Sequence, residues 1–195
     1  MSARMMAILG EMAPGPEIYS IDESFLDVSG ISSYMPLEDF GLLIRNRVKK
    51  EIGLSIGVGF GPSKTLAKLA NFAAKKWTQT GGIVNLTSPE HQRKLLALVS
   101  IDDIWGIGGK LSKRLHTMGI STALQLADSN ISMIRKSFDV IVERTVRELN
   151  GESYLASVRC PAAKAADCSE PQFRTTCHQY RRPAAGCRNV CHACQ

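Results

Sequence analysis

Cysteine is missing from the first 159 residues of this 195-residue chain, and all six cysteines lie between Cys160 and Cys194. No apolar run approaches the ~18 residues that a membrane-spanning helix needs. The short apolar stretch at the N-terminus is broken by Glu11, so it does not resemble a signal peptide. These absences argue against a membrane protein and against a fold built on disulfides, and we expect a soluble, cytoplasmic protein.

Hydrophobic residues make up 44% of the chain, which is enough for a packed core and argues against wholesale disorder. The net charge is +6, which is compatible with a polyanionic partner. Most basic proteins do not bind nucleic acid, so the charge alone is weak evidence. The length leaves room for one domain or two small ones.

Two blocks of predicted secondary structure differ in kind. Over 1–87 we predict a helix at 1–12, a hairpin, two further helices and short strands near 54–60 and 81–86. Over 88–153 only short helices are predicted, and residues 154–195 show no periodicity. The fold class is therefore α/β (α+β): a unit of strands and helices, an all-helical unit and a tail without periodicity. The helices of the second unit are predicted at 89–98, 101–105, 109–118, 121–128, 131–136 and 139–149.

The first candidate site is a hairpin with an acidic tip. Asp22 and Glu23 separate two apolar-rich runs, although Asn-Gly or Asp-Gly is the usual choice for such a turn. Adjacent carboxylates repel each other, and a hard divalent cation such as Mg²⁺ would relieve that repulsion. The pair therefore predicts a catalytic metal site that activates a hydroxyl and neutralises phosphates. A solvated acidic turn is the alternative.

The second candidate site is a glycine-bearing turn, residues 59–63, which opens a helix and could hold an anion on free amides. Lys64, Lys68, Asn71 and Lys75 fall on one face of that helix, with leucines and alanines on the other. A lysine stripe beside an acidic metal site suits a triphosphate, whereas an ordinary solvated helix face is the alternative. The spacing of a P-loop is absent.

The third candidate site is a Gly-hydrophobic-Gly turn between two helices, the pattern of a helix-hairpin-helix motif. Gly106, Ile107 and Gly108 form the turn, where glycine lets the backbone approach a DNA phosphate and helix-start amides donate to it. Lys110 and Lys113 add positive charge without reading bases. The motif predicts sequence-independent DNA binding, with a purely structural helical hairpin as the alternative.

The tail holds a fourth candidate. Cys187, Cys191 and Cys194, with His178 and His192, have a loosely zinc-like spacing. One of the two tight ligand couples that are usual in zinc knuckles is missing, so zinc is the weaker interpretation. A metal-binding regulatory protein is kept as an alternative function.

Together and in this order, the first three motifs resemble the Y-family translesion DNA polymerases of the UmuC type. The resemblance covers about residues 1–153 and implies a partial palm domain over 1–87, an incomplete sheet with helices on one face, followed by an all-helical thumb domain over 88–153. The segments that carry it are EIYSIDESFLDVSGI (17–31), GVGFGPSKTLAKLANFAAKKW (57–77), TGGIVNL (80–86), DDIWGIGGKLSKRLHTMGISTALQLAD (102–128) and RKSFDVIVERTVRELNGES (135–153).

The resemblance also implies roles for single residues. Asp22 and Glu23 match the family's second and third metal-binding carboxylates, and Lys68, with Lys64 beside it, matches the lysine that contacts the incoming triphosphate. Residues 106–113 match the thumb hairpin that grips the DNA backbone. The implied activity is templated nucleotide addition to damaged DNA with two Mg²⁺ ions, in DNA repair and SOS mutagenesis. The implied partners are primed damaged DNA, deoxynucleoside triphosphates, processed UmuD, a recombinase filament and a sliding clamp.

Two departures from the family pattern limit this expectation. The family carries its first metal-binding aspartate and its fingers upstream of the SIDE element, and residues 1–16 contain neither. We therefore expect a half-built metal site and a chain that is inactive by itself. A non-enzymatic DNA-binding fragment that uses the helix-hairpin-helix is the alternative function.

The second departure is the tail, which stands where the family continues into its little-finger domain. If KAADCSEPQFR (164–174) is read from the second base of each codon, the code permits K-Q-Q-I-V-x-S-R-S-F-G. That string resembles the opening strand of the family's little finger. Residues 154–195 are therefore expected to be out-of-frame and disordered, and their cysteines then need neither zinc nor disulfides.

Overall fold

A computed structural model describes residues 2–13, 15–153 and 190–194. The predicted α/β (α+β) fold is confirmed, with a five-stranded sheet and a run of short helices between its fourth and fifth strands in sequence. The strands are β1 (Glu17–Ile18), β2 (Glu23–Asp27), β3 (Gly57–Gly61), β4 (Ile83–Asn85) and β5 (Val190–Cys194). The helices are α1 (Ser2–Met12), α2 (Leu37–Ile52), α3 (Lys64–Lys76), α4 (Pro89–Leu98), α5 (Gly109–Thr117), α6 (Ala123–Ala127), α7 (Ile131–Ser137) and α8 (Val140–Leu149).

The helix boundaries follow local chemistry. Gly53, with a φ of 81°, ends α2 in the left-handed conformation that glycine adopts without a Cβ clash. Ser63 begins α3, because its hydroxyl accepts a hydrogen bond from the backbone N–H of Leu66. The segment predicted as a helix at 101–105 is instead a single 3₁₀ turn, Ile101–Asp103. Within the described ranges, no helix is long and apolar enough to cross a membrane.

The strand order is β1-β2-β5-β3-β4, with β3 and β4 parallel and β5 antiparallel to both of its neighbours. The expectation of a disordered tail is therefore wrong for residues 190–194, which form the central strand. Cys191 and Ala193 are buried, and two neighbouring strands hydrogen-bond the backbone. Cys191 is a free thiol whose pKa is raised by burial. Residues 154–189 lie outside the described part of the chain.

Helices cover both faces of the sheet, and the expectation of helices on one face is also wrong. Alternate strand residues, such as Leu26 and Phe60, pack with α1 and α2 on one face. Phe25 and Val190 pack against Ala67 of α3 on the other. The far side of α3 joins the core of α4–α8, so one helix belongs to both units.

His192 lies in the middle of β5 on the face toward α3. It is 1% exposed, and neither ring nitrogen has a hydrogen-bond partner among the described residues. Its ring packs on that of Phe25, with 4.5 Å between the centroids. Burial lowers the pKa of His192 to about 4 from an ordinary 6.5, so the imidazole is neutral at pH 7.

This buried imidazole predicts a loss of stability in acid. Between pH 6.5 and 4 the unfolded chain takes up a proton at His192 that the folded chain excludes, so the free energy of unfolding falls as the pH falls. We expect a loss of about 2 kcal/mol from this residue between about pH 7.5 and about pH 5. Chemical denaturation at both pH values measures it.

The matched control is His192→Phe, which keeps an aromatic ring against Phe25 and removes the titrating group. The wild-type chain should lose more stability in acid than this variant. An equal loss in the two proteins would show that His192 is not buried in the neutral form.

Candidate functional site

The site is positioned by the close approach of α3 to β3. A Cβ atom at Gly59 would lie 2.3 Å from the backbone nitrogen of Asn71 and 2.4 Å from the carbonyl oxygen of Ala67. Such distances are far inside van der Waals contact, so β3 needs glycine at this point. The helix therefore lies directly on the sheet, and its lysines reach across to β1 and β2.

The acidic hairpin forms, with a different turn from the one predicted. Residues 19–22 make the connection, while Glu23 is the first residue of β2. The backbone N–H groups of Tyr19 and Ser20 both donate to the carbonyl oxygen of Glu23, at 3.0 and 3.2 Å. The Ser20 hydroxyl donates to Asp22 at 2.5 Å and lowers the pKa of that carboxyl. Asp22 is therefore ionised at neutral pH, beside Glu23.

Two lysines on α3 meet two carboxylates on the hairpin. Lys68 Nζ lies 3.0 Å from Glu23 Oε2, and each side chain is 20% exposed. One turn earlier, Lys64 Nζ lies 2.6 and 2.7 Å from the two carboxylate oxygens of Glu17. Both ammonium groups are thus paired with carboxylates instead of being solvated by water alone.

The predicted lysine face is solvated only at its Lys75 end. Lys64 and Asn71 are 5% and 2% exposed. The Asn71 amide donates to the carbonyl oxygens of Gly57 and His192, at 2.8 and 2.9 Å, and so joins α3 to two strands. The alternative of an ordinary solvated face is therefore wrong for Lys64 and Asn71, whereas Lys75 at the end of the face is exposed. Asn71 is a structural residue.

The first amides of α3 are occupied, contrary to the expectation that they hold an external anion. The buried carboxylate of Glu148, on α8, accepts from the N–H of Thr65 at 2.9 Å. The Ser63 hydroxyl donates to the carbonyl oxygen of Glu148 at 2.7 Å. An internal carboxylate thus takes the place at the helix N-terminus where an anion is favoured.

A cleft of about 290 Å³ lies between α3 and the chain around Trp105. Glu23, Lys68, Lys75 and His192 are among its lining residues. In the described ranges, no group of three His, Cys, Asp or Glu side chains forms a metal site. Asp22 and Glu23 nevertheless supply carboxylate oxygens, and Mg²⁺ commonly takes only one or two carboxylates, with phosphates and water completing its shell.

The Gly106–Gly108 turn lies before α5 as predicted, although a 3₁₀ turn stands where the first helix of the motif was predicted. Gly106 has a φ of 88°, which favours glycine, and Gly108 precedes the first turn of α5. Ile107 is buried and anchors the turn, while Lys110 and Lys113 are exposed and make no ion pair among the described residues. The turn therefore presents its backbone and two uncompensated cations on the surface.

Asp102 fixes this hairpin to the chain before it. Its carboxylate accepts hydrogen bonds from the hydroxyls of Ser112 and Ser100 and lies 3.3 Å from the ring of His116. These partners, the Ser112 hydroxyl first, lower the pKa of Asp102 to about 2. The start of α5 is thus held in place by a charged group that stays ionised.

Sequence reasoning missed two aromatic residues at the site. Tyr19 and Trp105 both contact Lys68 with their ring faces. Each lies next to a predicted motif in the sequence, but no local pattern shows that residues 86 positions apart meet. His192 was considered only as a zinc ligand and lines the cleft instead.

Two family models match the chain. Residues 1–71 match the impB/mucB/samB family, and residues 89–120 match the HHH motif of the IMS family. Protein SamB of Salmonella typhimurium is 50% identical over 188 residues, which cover 94% of this chain and 44% of SamB. Protein UmuC of the same species is 50% identical over 171 residues, which cover 87% of this chain and 40% of UmuC.

The chain therefore spans about two fifths of the length of these relatives. Since the SamB match covers 94% of the chain, it extends past residue 153. The out-of-frame origin of the tail stays a prediction, which sequencing of the gene around codon 154 would test.

Solved structures agree with the sequence comparisons. The crystal structure of DinB from Sulfolobus solfataricus has a TM-score of 0.62 and 28% identity, covering 78% of this chain and 44% of DinB. The insertion ternary complex of Dbh DNA polymerase has a TM-score of 0.64 and 27% identity, with the same coverage. With its acidic hairpin, lysine-bearing helix and helix-hairpin-helix in this order, the chain belongs to the impB/mucB/samB family, the UmuC type of the Y-family DNA polymerases.

Proposed function

We propose that the chain carries part of the nucleotide-binding and DNA-binding apparatus of an error-prone translesion DNA polymerase that acts in DNA repair and SOS mutagenesis. Residues 1–87 would be its palm portion and residues 88–153 its thumb. The observation that carries the proposal is the pair formed by Lys68 and Glu23, 3.0 Å apart and next to Asp22. A cation and two carboxylates at one place can bind the two components of a metal–triphosphate complex.

Mg²⁺ would be held by Asp22 and Glu23, where it would neutralise phosphate charge and activate a primer hydroxyl. Lys68 then exchanges its partner: its ammonium leaves the carboxylate of Glu23 and donates to triphosphate oxygens. Asp22 is ready to bind a cation because its hydrogen bond from Ser20 keeps it ionised. Lys64 is a weaker candidate for the same contact, since it is buried against Glu17.

Among the described residues, only Asp22 and Glu23 are proposed as metal ligands, and no group of three such side chains is present. Two carboxylates are too few to hold the two metal ions of a two-metal reaction centre. We therefore propose that this chain by itself binds a metal–nucleotide complex and does not extend a primer. Primed damaged DNA and deoxynucleoside triphosphates are the proposed ligands of the whole polymerase. Processed UmuD, a recombinase filament and a sliding clamp are proposed partners with no residues assigned, and the cytoplasm is the proposed location.

Substituting Lys68 tests the nucleotide site. We expect Lys68→Met to weaken the binding of Mg²⁺–deoxynucleoside triphosphate about tenfold or more, because it removes a charged hydrogen-bond donor to phosphate. Isothermal titration of the 195-residue chain measures the dissociation constant.

Lys76→Met is the matched control, because Lys76 lies on the same helix, is half-exposed and pairs with Asp103 at 3.3 Å. It removes the same charge from α3 without touching the acidic hairpin. Equal weakening in the two variants would show that general charge, and not the Lys68 position, binds the nucleotide.

The second candidate function, DNA binding without catalysis, is favoured by the exposed cations of the hairpin. We expect duplex DNA to bind weakly through the turn at Gly106–Gly108, with Lys110 and Lys113 each contacting a phosphate. Replacing both lysines with alanine should reduce the slope of log affinity against log salt by about 2, because each phosphate contact contributes about 0.9.

The control for this experiment is Lys49→Ala with Lys50→Ala, which removes the same charge from the exposed end of α2. Fluorescence anisotropy with a labelled duplex, repeated over a range of salt, gives both slopes. If the two double variants have the same slope, DNA binding does not depend on the hairpin.

A further inference from the structure

Three aromatic rings meet where the acidic hairpin touches the helix-hairpin-helix. Trp105 Nε1 donates to the hydroxyl of Tyr19 at 3.3 Å, and the two rings are nearly perpendicular, with centroids 5.4 Å apart. Phe25, which is 3% exposed, lies 5.9 Å from Tyr19 and 6.2 Å from Trp105 between centroids. The buried Phe25 ring thus packs against both of the other rings.

The ammonium of Lys68 lies against two of these rings. Its Nζ is 4.2 Å from the ring centroid of Tyr19 and 4.7 Å from that of Trp105. Both distances are within the ~6 Å at which a cation is attracted to the face of an aromatic ring. The Lys68 side chain is only 20% exposed, and partial removal from water strengthens such contacts. We call Tyr19 and Trp105 the Lys68 cage.

The cage and Glu23 hold the same ammonium by different physical means. The ion pair with Glu23 depends on the carboxylate charge, which a metal ion at Glu23 would neutralise. The attraction to the ring faces does not depend on that charge and persists when the carboxylate is occupied. Without the cage, a long lysine side chain whose partner has been neutralised would gain rotamer freedom and turn toward water.

We propose that Trp105 is a positioning residue for Lys68. Together with Tyr19 it keeps the Lys68 ammonium beside the acidic hairpin when a metal ion takes over Glu23, so that the triphosphate meets a cation already in place. Because Trp105 directly precedes Gly106, the cage also ties the nucleotide contact to the DNA-binding turn. This inference rests on the proposed function of Lys68 as a triphosphate contact.

A double-mutant cycle tests whether Trp105 acts through Lys68. The single variants are Trp105→Leu, which keeps an apolar side chain without a ring face, and Lys68→Met; the third protein carries both substitutions. Isothermal titration with Mg²⁺–deoxynucleoside triphosphate gives each dissociation constant. We expect Trp105→Leu alone to weaken binding roughly fivefold to tenfold, and to have no effect when Lys68 is already replaced.

Trp77→Leu is the matched control, since Trp77 is the other tryptophan of the chain and ends α3 away from the acidic hairpin. It should leave nucleotide binding unchanged. Trp105→Phe keeps an aromatic ring in place, so it still tests the positioning role if the leucine variant does not fold. It should bind nucleotide with an affinity between those of the wild-type chain and Trp105→Leu, and it should also have no effect once Lys68 is replaced.

The outcomes separate this inference from the proposed function. If the wild-type chain binds nucleotide and Trp105→Leu binds it equally well, the positioning role is wrong and the nucleotide site stands. If Trp105→Leu weakens binding to the same extent with and without Lys68, Trp105 does not act through Lys68, and the inference again fails. If the wild-type chain binds no metal–nucleotide complex, the proposed function fails, and the inference fails with it.

Discussion

The close packing of α3 against β3 determines where the other parts of the molecule lie. No side chain larger than hydrogen fits at Gly59, so the helix rests on the backbone of the strand. From that position one side of α3 brings Lys68 to Glu23, while Leu66 and Leu69 on another side enter the core of α4–α8. A single helix thus sets both the charged site and the placement of the helical unit that carries the hairpin.

Charged groups are paired wherever α3 meets the acidic hairpin and α8. Carboxylates pair with Lys64, Lys68 and the Thr65 amide at the start of α3; they belong to Glu17, Glu23 and Glu148 respectively. Because these groups are largely buried, leaving one of them unpaired would be costly. These ion pairs satisfy the charged groups. We propose that a metal–triphosphate complex would bind by exchange: the cation would pair with the carboxylates, and the phosphates with Lys68. The exposed Lys110 and Lys113 differ, since they have no such partner in the described part of the chain, and they are the proposed contacts to DNA phosphate.

The sequence predicted the local elements well, because the helices carry clear 3.6-residue patterns and the hairpin has apolar runs on both sides. Contacts between distant segments were missed. The residues of β5, VCHAC, carry no strand signal strong enough to stand out in an alanine- and cysteine-rich tail. The meeting of Tyr19 with Trp105, and of Glu148 with Thr65, depends on how α3 joins the two units. Periodicity within one segment contains no information about such pairs.

The most direct test of the account is whether Asp22 and Glu23 hold the metal of a metal–nucleotide complex. Mn²⁺ can replace Mg²⁺ at oxygen ligands, and its effect on water proton relaxation reports when it is bound to protein. We predict that the chain enhances relaxation by Mn²⁺–deoxynucleoside triphosphate, that Glu23→Gln abolishes most of the enhancement, and that Glu38→Gln, a substitution on α2, leaves it unchanged. An enhancement that survives Glu23→Gln would contradict the account, because the metal would then lie away from the acidic hairpin.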